Sequence, residues 1–106
     1  MNFLFDSNGR HIANLVNGQL HSPYGSNVGH FLSSYNIFID MHGRYLGEII
    51  YNDRLVYNIN SPYLSKNYGN YGNYGNYGNV GNYGNPGNRG NIGIISGYRN
   101  IETPWL

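Results

Sequence analysis

Three glycines, Gly9, Gly25 and Gly43, each stand three residues after an Asp or Ser that closes an apolar run, and this spacing constrains the chain more than any other feature. Aligned on it, the sequence reads FLFDSNGRHIANLV from Phe3, QLHSPYGSNVGHFL from Gln19, IFIDMHGRYLGEII from Ile37 and LVYNINS from Leu55, with starts 16, 18 and 18 residues apart. That is the length of a β-hairpin, not of a helix pair. Leu4, Leu20, Phe38 and Val56 form an apolar column, and two residues later stand Asp6, Ser22, Asp40 and Asn58. These are residues whose side chains bond the backbone two positions on and so begin turns. The glycines follow where a tight loop needs positive φ.

After the turn comes a second apolar column, Ile12, Val28 and Leu46, followed by the small residues Ala13, Gly29 and Gly47. The next apolar column, Leu15, Phe31 and Ile49, lies three residues after the second instead of two. A strand alternates with period two, so the offset calls for one extra residue: a β-bulge or sharp bend, expected at the small residue. The fourth unit breaks off after Ser61, and its missing half is matched by Asn91-Ile92-Gly93-Ile94-Ile95, which has the pattern of Asn27 to Phe31.

Between the halves lie nine consecutive Asn-x-Gly triplets from Asn67 to Gly93, with Tyr as the middle residue at Tyr68, Tyr71, Tyr74, Tyr77 and Tyr83. Collagen also has glycine every third residue, but one proline in the run does not preorganise that helix. Two readings stay open: a loosely ordered loop, or a three-residue-per-turn extended helix with a Tyr edge able to dock on the core or a neighbour.

The expected fold is all-β: four antiparallel β-hairpin repeats about a pseudo-four-fold axis, the fourth hairpin interrupted by the low-complexity loop. The units are residues 3–18, 19–36, 37–54 and 55–60 plus 91–98; the Asn/Tyr/Gly-rich insertion is 61–90, and 99–106 is a closing segment packing across the first hairpin. The expected core is Leu4, Ile12, Leu15, Leu20, Val28, Phe31, Phe38, Leu46, Ile49, Val56, Ile92 and Ile95. Asp6, Gly9, Gly25, Gly29, Asp40, Gly43, Gly47 and Gly93 are assigned structural roles in turns and bulges. On the Asp6 and Asp40 turns and the Gly29, Gly47 and Gly93 column, the chain resembles the four-fold β-flower family of small bacterial proteins, which implies hairpins around an axis within one chain and carries no activity. Phe5-Asp6 with Gly9-Arg10, and Ile39-Asp40 with Gly43-Arg44, are also similar to the tyrosine-aspartate repeats of large bacterial shell-forming toxins.

Six Lys and Arg spread over 106 residues, at a net charge of +1, give no basic face for nucleic acid. No stretch has the length of an export signal or a membrane span, and cysteine is absent, so a cytoplasmic location is expected. His11, His21, His30 and His42 fall in four different columns, which is not how repeats would converge on a metal, so neither metal nor cofactor is expected. Asp6 and Asp40, with Glu48 or Asp53, could be read as an acid and base pair, but their turn positions already explain the aspartates, and no nucleophile elbow, phosphate loop or zinc signature is present. The chain therefore reads as non-enzymatic: a structural or protein-interaction module, self-associating or holding a protein partner, with the tyrosines of the insertion as contact surface. The alternative is small-ligand or carbohydrate binding at the axial face.

Overall fold

The computed structural model describes residues 1–69 and 84–106. It is all-β, with no helix among the described residues: β1 (Asn2–Phe5), β2 (His11–Val16), β3 (Gln19–His21), β4 (Asn27–Leu32), β5 (Ile37–Asp40), β6 (Tyr45–Ile50), β7 (Arg54–Asn58) and β8 (Tyr98–Asn100). Neighbours in sequence pair antiparallel from β1 through β8, and a parallel contact of Phe5 with Arg54 joins β1 to β7. Seven strands thus close into a barrel, and β8 extends the sheet along the remaining edge of β7.

The turns that join β1 to β2, β3 to β4 and β5 to β6 are built alike. The carboxylate of Asp6 accepts from the N–H of Asn8 and Arg10 at 3.0 and 2.9 Å, and that of Asp40 from His42 and Arg44 at 2.8 and 3.0 Å. Ser22 does the same with its hydroxyl for Tyr24 and Ser26. Gly9, Gly25 and Gly43 have φ of 90°, 96° and 84°, and their N–H groups donate back to the carbonyls of Asp6, Ser22 and Asp40. Asn58 begins a fourth turn, accepting from Asn60 N at 2.9 Å, and the chain then leaves the sheet.

The hairpins β1–β2, β3–β4 and β5–β6 each carry a bulge. Pairing jumps from Leu4↔Ala13 to Phe5↔His11, from Leu20↔Gly29 to His21↔Asn27, and from Phe38↔Gly47 to Ile39↔Tyr45. The unpaired residues are Ile12, Val28 and Leu46, one position before the small residues where the bend is expected. The extra residue lets two successive side chains, such as Ile12 and Ala13, join one cluster with Leu4, Leu20, Phe38, Leu55 and Ile101. Gly29 and Gly47 then lie against the next unit: a Cβ would strike the carbonyl oxygen of Ile39 at Gly29, and would stand 2.6 Å from that of Val56 at Gly47.

The fourth hairpin departs from expectation. Asn91 to Ile95 lie outside the sheet, and the strand on β7 is Tyr98–Asn100, paired without a register shift. Gly93 marks no bulge; it has φ of 75° in open space, with its N–H on Asn91 Oδ1 at 2.6 Å. Ile92 and Ile95 are absent from the core cluster, and Ile101 takes their place beside Gly47. Asn27-x-Gly29 makes the same side-chain bond, Gly29 N to Asn27 Oδ1 at 3.2 Å, yet stays within β4; what sets Asn91-x-Gly93 apart is the left-handed backbone of Gly93, which a strand does not accommodate. The other expected core residues hold: Leu4, Ile12, Leu20, Phe38 and Val56 are fully buried, and Leu15, Val28, Phe31, Leu46 and Ile49 pack against them. The closing segment crosses the first hairpin, where Trp105 Nε1 donates to Ile12 O at 2.7 Å.

Gly47→Val forces β6 away from Val56 and should destabilise the domain by about 3 kcal/mol or more. Gly90→Ala, where a Cβ meets nothing within 4 Å, should stay within about 0.5 kcal/mol of the parent. Urea unfolding of both variants checks the pair.

Candidate interaction surface

The Asn-x-Gly triplet has a local logic that three of its four described copies show, those ending at Gly69, Gly87 and Gly93. Asn67 Oδ1 accepts from Gly69 N at 2.8 Å, Asn85 Oδ1 from Gly87 N at 2.9 Å, and Gly69 and Gly87 have φ of 86° and 77°. Asn supplies the side-chain acceptor that closes a turn, Gly supplies the left-handed backbone, and the middle residue is left to present its side chain. The same bonding rule that explains Asp6 would have found this.

Both ends of the insertion are fixed to hairpin turns by the middle residue of a triplet. Tyr68 N donates to Gly43 O at 2.9 Å, beside a bridge between Arg44 and Asn67. Arg89 N donates to Gly9 O at 2.8 Å, and Ile92 N to Ser7 O at 2.9 Å. A Cβ at Gly43 would overlap Gly69, and one at Gly9 would overlap the Arg89 carbonyl, so the two turn glycines are also required by close approach.

Where the insertion departs, Tyr63 and Tyr68 pack on a second cluster of Ile37, Ile39 and Tyr45. Tyr35, 45% exposed, meets the Tyr63 ring at 5.4 Å and the Tyr68 ring at 5.3 Å between centroids. Lys66 Nζ lies 5.9 Å from the centre of the Tyr63 ring. The Tyr68 hydroxyl is buried without a hydrogen-bond partner, and its removal from water, with Tyr35 and Tyr63 nearby, raises its pKa. Beneath them Tyr45 donates its hydroxyl to Glu48 Oε1 at 2.8 Å and accepts from Asn58 N at 3.1 Å. Burial, reinforced by the Glu48 carboxylate, holds Tyr45 well above the usual tyrosine range.

Of the expected contact tyrosines, Tyr68 belongs to this platform, and Tyr71, Tyr74, Tyr77 and Tyr83 lie outside the described residues. Tyr35 and Tyr63 carry no repeat signature and come to Tyr68 only through the fold. The four histidines lie apart in kind: His42 is exposed, His11 is half-buried, and His21 and His30 are buried. No group of metal-ligating side chains occurs among the described residues. Asp6 and Asp40 are committed to their turns, Glu48 to Tyr45, and Asp53 to Arg54 and Arg89.

The surface is indented at several places, including an apolar cleft of about 410 Å³ at Ile94, Ile95 and Tyr98 and a polar one of about 260 Å³ between the first two hairpin turns. Among the described residues no helix is long and apolar enough to cross a membrane. Comparison with protein-family models, curated proteins and solved structures gives no match.

Tyr45→Phe leaves the Asn58 N–H without its acceptor and should cost about 1 to 3 kcal/mol in urea unfolding. Burial, and then the nearby His30, disfavours the charged form of His21 and lowers its pKa from the ordinary histidine value. Its folded pKa lies below the unfolded one, so its contribution is complete above about pH 6.5 and declines as pH falls below that value. The urea midpoint should drop on acidification, and less so in His21→Gln.

Proposed function

We propose that this chain is a non-enzymatic protein-interaction module whose contact surface is the tyrosine platform at the departure of the insertion. The observation that carries the reading is the contact of the half-exposed Tyr35 ring with those of both Tyr63 and Tyr68, with Lys66 over the Tyr63 ring and Leu64 exposed next to it in sequence. Tyrosine buries a large flat area while fixing few torsions and keeps a hydroxyl for the partner, and rings already packed on one another lose little further freedom on binding. The partner most directly suggested is a second copy, because net charge near zero opposes association little. Four hairpin units about a pseudo-four-fold axis, as in the β-flower family, belong to the same proposal; the three bulged hairpins support it.

A second reading, small-ligand or carbohydrate binding, is favoured by the polar cleft between the first two turns. Sedimentation velocity over a concentration series tests the first. The parent should self-associate, and Tyr35→Ser with Tyr63→Ser should shift it toward monomer while melting as a folded protein. A parent that stays monomeric throughout, or a double variant that associates equally well, would refute the platform.

A further inference from the structure

The polar cleft is bounded by Arg10 and His11 from the first hairpin, Pro23 and Tyr24 from the second turn, Asn85 and Asn88 from the returning insertion, and Leu106. Its groups are set in place by the fold. The Arg10 backbone is tied to Asp6 Oδ1 at 2.9 Å, and its guanidinium makes no ion pair among the described residues. The His11 ring is wedged against Phe3 and Phe5, with centroids 5.3 and 5.6 Å away. His11 Nε2 lies 2.7 Å from Asn14 Oδ1, and the neutral tautomer that donates there leaves Nδ1 as an acceptor. Asn85 uses its Oδ1 on Gly87 N, which leaves its amide N–H groups as donors. Tyr24 is 65% exposed at the rim.

A flat exposed ring, a positioned acceptor, amide donors and a guanidinium with no carboxylate side chain in the lining match one ligand chemistry. We propose that this cleft binds a carboxylated sugar, a uronic-acid residue of an oligosaccharide, and this rests on the second reading given above. The C–H face of the sugar lies on Tyr24, its hydroxyls bond His11 Nδ1 and the Asn85 and Asn88 amides, and its carboxylate takes the fork of Arg10. Apolar contact with the ring and directed bonds to the hydroxyls give orientation, and the guanidinium separates acidic from neutral sugars. At about 260 Å³ the cleft suits a single ring of a longer chain.

Calorimetric titration with an oligogalacturonate and with a cello-oligosaccharide of the same length tests this. The acidic chain should bind, and the neutral one should bind about tenfold or more weakly. Arg10→Gln should remove that preference, and Tyr24→Ala should weaken both sugars; both residues are exposed, and unchanged melting curves establish that the variants fold. Equal affinity for the two sugars overturns the acidic assignment while keeping a sugar site. Binding untouched by either substitution overturns the location, and no binding of either sugar overturns this inference together with the reading beneath it.

Discussion

The barrel hangs on one edge of β7. That edge serves two strands end to end: β1 pairs with it at Phe5 and Arg54, and β8 takes Val56 to Asn58. One parallel residue pair is little to close a sheet with, and side chains supply the rest. Arg54, 7% exposed, donates through Nη1 to the carbonyls of Asp6 and Gly90 and through Nε to Asp53. A buried guanidinium is costly unless its donors are filled, so this arrangement holds strand start, first turn and returning insertion in fixed relation. Asn100 joins the same seam by accepting from Ser7 N at 2.9 Å.

Arg89 adds a second tie. Its guanidinium lies 4.6 Å from the Phe5 ring centre and 3.6 Å from the Asp53 carboxylate, over the residue that makes the closing pair. The insertion is thus part of the closure, although it looks in sequence like an interruption of a finished repeat.

What could be read from sequence follows the range of the forces involved. The turns at Asp6, Ser22 and Asp40 are decided within five residues by a side-chain acceptor and a glycine, so the pattern locates them. The bulges were legible because a broken period is visible in any one unit, but whether the extra residue is Ile12 or Ala13 depends on how the partner strand pairs. Asn91 to Ile95 misled because its residue types copy a strand while Gly93 takes a left-handed backbone, and Tyr98–Asn100 offers no apolar alternation to compete. The buried polar residues Asn14, Gln19 and His21 carry no mark of burial in their own segments. For the surface, Tyr68 was legible as part of a run; Tyr35 and Tyr63 were not, because proximity to it is a property of the fold.

The anchoring of both insertion ends on turn carbonyls has an evolutionary corollary. Gly43 and Gly9 present main-chain oxygens, which are indifferent to the side chain of the triplet that docks there, and Tyr and Arg serve equally as the donating residue. A repeat array held this way can gain or lose whole triplets by replication slippage and offer another Asn-x-Gly to the same oxygen. Copy number is then a variable on which selection can act in this part of the chain.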